Sequence, residues 1–177
     1  MHFRTEIKSK PVKLALAGLM MAAGIASVTG FAGEAAAWRV ARMDTSAMTA
    51  DALPAMRPGA PVSYYTAVAD TALATRPADY GLAEAATIRV LAATPTDAQA
   101  WNRLAFIDLR RNGRLTREGM AALYQSYQVS PYGDLSMMIW RVEFAAGIWP
   151  SLPDDLQAQT LRQIPVIGRF GNSWDWR

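Results

Sequence analysis

The sequence contains no cysteine, and its single histidine, His2, lies close to the N-terminus. Without thiols the chain can form no disulfide and can offer no thiolate to a metal ion or to nucleophilic catalysis. Because the histidine falls in a basic leader, the rest of the chain has no imidazole for a metal site or for general acid–base catalysis. Thiol-based and histidine-based sites are therefore excluded from the folded part. Since no other constellation of reactive side chains appears, we expect a non-catalytic protein with no metal site and no cofactor.

Lysine is also scarce, and all three lysines lie within the first 13 residues. Together with Arg4, and with Glu6 opposing them, they account for the whole formal net charge of +3. The remaining 14 basic residues are arginines, which 14 acidic residues balance. The high pI of about 9.4 therefore does not indicate binding to nucleic acid, which would require a basic face on the folded part.

An uncharged run of 19 residues, from 14 to 32, follows this basic segment directly. Its length is close to the minimum for crossing a bilayer, and the lysines before it place the N-terminus in the cytoplasm. Two interpretations remain open. A retained anchor would lie in a bacterial inner membrane with Trp38 and Arg39 at the far interface. A signal peptide cleaved among the small residues 35–37 would release a soluble periplasmic protein.

Composition divides the chain into four predicted segments: an anchor or signal peptide over residues 1–37, a linker over 38–61, a helical domain over 62–165 and a tail over 166–177. The linker contains Pro54, Pro58 and Pro61, which interrupt regular structure, and we expect it to hold the folded part away from the membrane. Pro165 is expected to end the last helix. Many helix formers and few β-branched runs favour an all-α fold.

The region from residue 95 to residue 131 carries the most specific pattern. Its first half has apolar residues at spacings of three and four, as one face of a helix requires: Ala98, Trp101, Leu104, Ala105 and Leu109. Asn112 and Gly113 are typical of a helix end, and Thr116 is placed to cap a second helix. Since Ser130 precedes Pro131, the second helix should stop there. The pattern predicts a helical hairpin with a tight turn.

Trp101, Leu104 and Ala105, followed by Gly113 and a closing proline, resemble a tetratricopeptide repeat. Asp108 stands where that family has an aromatic residue. Thr94-Pro95 and Ser130-Pro131 lie 36 positions apart, which favours a repeated unit. The resemblance implies a stack of about three tetratricopeptide-like antiparallel helix pairs, whose concave surface binds another protein without catalytic residues. These pairs would follow the hydrophobic N-terminal helix that the apolar run predicts.

A helix expected to run from about Asp134 to Trp149 is apolar on two sides, which predicts central burial. Glu143 lies within it, and burial would raise the pKa of its carboxyl group. A glycan-cleaving helical enzyme that uses Glu143 as general acid is therefore an alternative. Arg141 is a candidate ion-pair partner for Glu143, which favours a structural role instead.

Two groups of residues are candidates for partner binding. The predicted hairpin is rich in arginine, and four of these residues are the candidates for gripping an anionic ligand: Arg110, Arg111, Arg114 and Arg117. The alternative is a solvated face with ion pairs to neighbouring helices. In the tail, Trp174 and Trp176 either fold back onto the domain or contact a partner.

These observations together predict a membrane-associated periplasmic adaptor or accessory subunit that binds another envelope protein, with secretion or polysaccharide-export machinery as the candidate assembly. Residues 14–32 are the expected membrane contact. The alternatives are a soluble secreted periplasmic domain and the enzyme that would use Glu143.

Overall fold

The computed structural model describes residues 10–45, 48 and 52–171. Within this part of the chain the fold is all-α, which confirms the predicted fold class. A short 3-10 turn, Trp149–Ser151, precedes the last helix. The helices are α1 (Lys10–Ala41), α2 (Val62–Ala74), α3 (Tyr80–Ala93), α4 (Ala98–Asn112), α5 (Arg117–Val129), α6 (Leu135–Gly147) and α7 (Asp154–Gly171).

The starts of four helices follow the capping residues that the sequence supplies. Asp79, Asp97 and Asp134 accept hydrogen bonds from the backbone N–H three residues later, at 2.9, 2.9 and 2.8 Å. Thr116 does the same for Gly119 at 3.4 Å. Such caps satisfy N–H groups that have no partner within the helix. Gly113 ends α4 at a positive φ of 67°, as predicted for a left-handed cap.

Helix α1 continues from the apolar run into the folded part without a break. Its last turns pack on α2 and bury Ala36, Ala37 and Val40. Ser63 donates to Glu34 at 2.8 Å, and Thr71 donates to the Val40 carbonyl at 3.4 Å. The first contact joins position 34 to position 63, and the second joins position 40 to position 71. Residue numbers thus rise together along both helices, so α1 and α2 run in the same direction.

The extended linker expected over residues 38–61 is not observed in the described part of that segment. Residues 38–41 belong to α1, and the chain before α2 folds back onto the helices. The hydroxyls of Tyr64 and Tyr65 donate to the carbonyls of Ala55 and Arg57 at 2.8 and 2.6 Å. Pro61 lies so close to Gly33 that a Cβ at Gly33 would be 2.9 Å from its ring. These contacts therefore hold the segment against the helices, although its proline-rich composition indicated an extended chain.

The helices after α1 pack as consecutive pairs, with α2 against α3, α4 against α5 and α6 against α7, and α3 also contacts α4. Trp101 and Leu104 are partly buried in two hydrophobic clusters at once, one around α2 and α3 and one around α5 and α7. The predicted central hairpin therefore joins the two halves of the core. Whether these pairs are tetratricopeptide repeats stays a prediction.

Helix α6 is not buried on both sides, contrary to the expectation. Met138, Arg141 and Ala145 form its buried face. On its other apolar side, Trp140 and Phe144 stack with ring centroids 4.7 Å apart and remain half-buried. The second face is thus only partly covered, with Phe144 at the edge of the core.

Helix α7 passes through Pro165 and ends at Gly171, so the prediction that Pro165 ends it is wrong. Proline removes one hydrogen bond to the carbonyl four residues earlier, which here belongs to Leu161. Both residues are exposed, so water can solvate that carbonyl and the cost of continuing the helix is reduced. Trp174 and Trp176 lie outside the described residues.

Among the described residues, one helix is long and apolar enough to cross a membrane. The span Gly18–Ala41 has a mean hydropathy of 1.3, and 6% of the window is buried. Its large side chains are exposed: Leu19, Met20, Met21, Val28 and Phe31. A signal sequence meets the same criterion, so both interpretations of the apolar run remain open.

A candidate partner-binding groove

A groove of about 410 Å³ lies where α2, α4 and α6 approach each other. Helix α4 contributes four lining residues at spacings of three, one and three, which places them on one face of the helix. The aromatic and aliphatic side chains make its walls apolar. The lining residues are Asp70 and Leu73 from α2, Gln99, Asn102, Arg103 and Phe106 from α4, and Ser136, Met137 and Trp140 from α6.

Asn102 and Arg103 are little exposed, and we call them the groove floor. Arg103 donates from Nε and Nη2 to one oxygen of Asp70, at 3.0 and 2.6 Å. Its side chain is only 9% exposed. Its Nη1 is buried and has no hydrogen-bond partner in the described part of the chain. A buried donor without a partner is costly, so Arg103 Nη1 would be stabilised by an acceptor that reached it.

A buried polar network fixes the orientation of Asn102. Ser126 donates its hydroxyl proton to Asn102 Oδ1, and Arg141 donates from Nη2 to the Ser126 carbonyl and hydroxyl oxygens, both at 2.6 Å. Because Asn102 Oδ1 already accepts a hydrogen bond, Asn102 Nδ2 is the remaining polar atom of that side chain, and it can act as a donor. The described residues provide no hydrogen-bond partner for that nitrogen. The groove floor thus offers a second donor.

Arg141 is fully buried and faces the C-terminal end of α5. Its Nη1 donates to the Ser130 carbonyl at 2.8 Å, and its guanidinium lies 4.5 Å from the centre of the Tyr127 ring. The last carbonyls of a helix stabilise a cation. Burial lowers the pKa of Arg141, while the nearby Tyr127 and Asp134 oppose that change. The residue therefore holds together α5, α6 and the groove floor.

The predicted pairing of Arg141 with Glu143 is wrong. Positions two apart on a helix point in different directions: Arg141 faces the core, whereas Glu143 is exposed. The burial on which the glycan-cleaving alternative depended is therefore not found.

The predicted arginine candidates do not form one surface. Arg110 donates to the Tyr80 hydroxyl at 3.3 Å, and this hydrogen bond raises the pKa of Arg110. Arg111 pairs with Glu84 at 2.5 Å, with each side chain roughly half exposed, so the pair adds little stability. Both residues thus reach back to α3, although the Arg110 guanidinium also lies 5.9 Å from the centre of the Phe106 ring.

Arg114 and Arg117 lie exposed in and just after the α4–α5 turn, and the described residues give them no ion pair. Of the arginine-rich run, Arg103 is the residue that lines the groove. Arg103 belongs to the arginine-rich run but not to the four predicted candidates, although its spacing from Gln99 and Phe106 places all three on one face of α4.

Asp108, the departure from the tetratricopeptide pattern, has a clear role in the hairpin turn. Its carboxylate accepts from the backbone N–H and the hydroxyl of Thr116, at 2.7 and 2.9 Å, and from the Asn112 side chain at 2.8 Å. A Cβ at Gly119 would lie 2.1 Å from this carboxylate. Asp108 therefore replaces an apolar contact by hydrogen bonds across the turn, and this arrangement requires glycine at position 119.

Among the described residues, no group of three or more His, Asp or Glu side chains is placed to hold a metal ion. Comparison of the chain with models of known protein families, with curated proteins and with solved structures finds no match. The interpretation of the groove therefore depends on its own geometry and chemistry.

Proposed function

We propose that this protein is a non-catalytic adaptor of a bacterial inner membrane, with its folded part in the periplasm, and that its groove binds a segment of another envelope protein. The observation that carries the proposal is the groove floor, where Asn102 Nδ2 and the buried Arg103 Nη1 have no hydrogen-bond partner among the residues that the structure describes. Backbone carbonyls or side-chain oxygens of a bound peptide would accept from them. Apolar side chains of that peptide would pack against Phe106 and Trp140.

The continuity of α1 supports attachment through residues 14–32 in an uncleaved chain. Cleavage after residue 37 would remove Ala36 and Ala37 from the core, together with the hydrogen bond between Ser63 and Glu34. The periplasmic location follows from the lysines before the apolar run. We expect the chain isolated from membranes to have its full mass, and a chain that begins at Trp38 would contradict the anchor.

Two groove variants test the binding site. Arg103→Gln removes the free donor and Phe106→Ser removes apolar wall area, so each should reduce capture of the partner from gently solubilised membranes. The matched controls are Arg89→Gln and Ile88→Ser, both at exposed positions of α3 outside the groove lining, and these should leave capture unchanged. Equal capture by groove and control variants of intact fold would contradict the proposal.

A further inference from the structure

The last two turns of α7 lie beyond its last buried residue. Gln163 is fully buried, and its amide donates to the Pro131 carbonyl at 2.9 Å. Beyond it, none of residues 164–170 is buried, and Val166 and Ile167 are partly exposed. At 1.5 Å per residue, the helix from Gln163 to Gly171 is about 12 Å long. We call residues 164–171 the α7 tip.

The order of the helices determines where this tip points. Short connections join α2 to α3, α3 to α4 and α4 to α5, and the two helices of each pair pack on each other, so each helix from α3 to α5 reverses the direction of the one before it. Helices α5 and α7 run in the same direction, since Tyr124 bonds to Asp155 and Tyr127 to Thr160. Helix α2 points away from the apolar run, so α7 returns toward it.

The end of the molecule at which α1 enters is therefore also the end that carries the α7 tip. Pro61 directly precedes α2 and contacts Gly33, so the start of α2 lies beside Gly33. Gly33 directly follows the apolar run 14–32. If that run spans the bilayer, the α7 tip projects toward the lipid surface.

The chemistry of the tip fits such a surface. Ile164 is 47% exposed and Phe170 is 56% exposed, while Arg162 and Arg169 provide positive charge. No acidic residue occurs from position 156 to position 171. A helix that combines apolar and basic residues binds at the interface of anionic membranes.

We propose that the α7 tip inserts into the headgroup region of a bilayer that contains anionic phospholipid, as a second membrane contact beside α1. The inference depends on the membrane attachment proposed above. Two contacts would fix the orientation of the molecule, and with it the orientation of the groove relative to the membrane.

The absence of cysteine from the sequence makes a direct test simple. An environment-sensitive fluorophore is attached to the full chain through Phe170→Cys in the tip, Val28→Cys in the apolar run or Ile88→Cys on α3. Each protein is reconstituted into vesicles of phosphatidylcholine, with or without phosphatidylglycerol. Emission shift and quenching by lipid-attached nitroxides report contact with the bilayer.

The three labels separate the two proposals. Blue-shifted, lipid-quenched emission at positions 28 and 170, with aqueous emission at position 88, supports the second contact. Lipid contact at position 28 with aqueous emission at position 170 overturns it and leaves the anchor intact. Aqueous emission at all three positions overturns the anchor and the second contact together.

Charge is tested separately on the same labelled protein. Replacing Arg162 and Arg169 by glutamine should abolish the additional shift at position 170 that phosphatidylglycerol produces, whereas Arg89→Gln should retain it. A phosphatidylglycerol-dependent shift that survives in the double variant overturns the assignment to anionic lipid.

Discussion

The groove between α2, α4 and α6 and the α7 tip are both open surfaces, but they are built in different ways. In the groove, Asn102 and Arg103 are held by Ser126, Arg141 and Asp70. In the tip, the side chains lie beyond the core. Polar groups fixed in advance suit one bound conformation of a partner, because little ordering is required on binding. Apolar and basic side chains with large exposed fractions suit a fluid surface such as a bilayer.

The largest effect is expected at Arg141, the buried residue that supports the groove floor. Arg141→Ala should lower the free energy of unfolding by about 3 kcal/mol, because it leaves a cavity and buried acceptors without donors. The exposed control Arg89→Ala should change it by no more than about 0.5 kcal/mol. Urea unfolding of the full chain in mild detergent measures both, and similar values would refute the structural role of Arg141.

A smaller effect is expected in the hairpin turn that carries α4. Gly119→Ala places a methyl group against Asp108 and should cost about 2 kcal/mol through overpacking. Gly147→Ala is the matched control, since its added Cβ has no atom within 4 Å, and alanine there should stabilise by up to about 1 kcal/mol. If both variants have the same stability, the close contact between α4 and α5 is disproved.

The smallest effect concerns the bond between α5 and α7, which positions the tip. The hydrogen bond to Asp155 raises the pKa of Tyr124 to about 12, against about 10 in an unfolded chain. Because the folded state favours the protonated phenol, this contribution is complete below about pH 10 and is lost as the pH rises through about 12. In the Tyr124→Phe variant, the free energy of unfolding should therefore fall less as the pH rises from about 10 to about 12. An unaltered alkaline profile in that variant would argue against the bond.

Local features of the fold were readable from the sequence. The cap at Thr116 and the glycine stop at Gly113 depend on residues within one turn of each other, and the structure confirms them. The all-α class followed from the same local patterns.

Features that depend on distant contacts were not readable in this way. The groove needs three helices brought together, so its floor residues Asn102 and Arg103 look like ordinary polar positions in α4. The return of the proline-rich segment onto α2 depends on the hydroxyls of Tyr64 and Tyr65. The helix-breaking effect of Pro165 was overestimated. The free-energy cost of a proline inside a helix is smaller where the carbonyl that loses its hydrogen bond is exposed to water.

The most direct test of the central claim is photo-crosslinking in cells from single positions of the full chain. A photoreactive phenylalanine analogue replaces Phe106 or Trp140 in the groove, or Ile88 on α3 as the control. We expect the same discrete protein adduct from both groove positions, its suppression by Arg103→Gln, and no such adduct from position 88. Absence of an adduct from both groove positions, or the same adduct from position 88, would contradict the assignment of the groove as the partner-binding site.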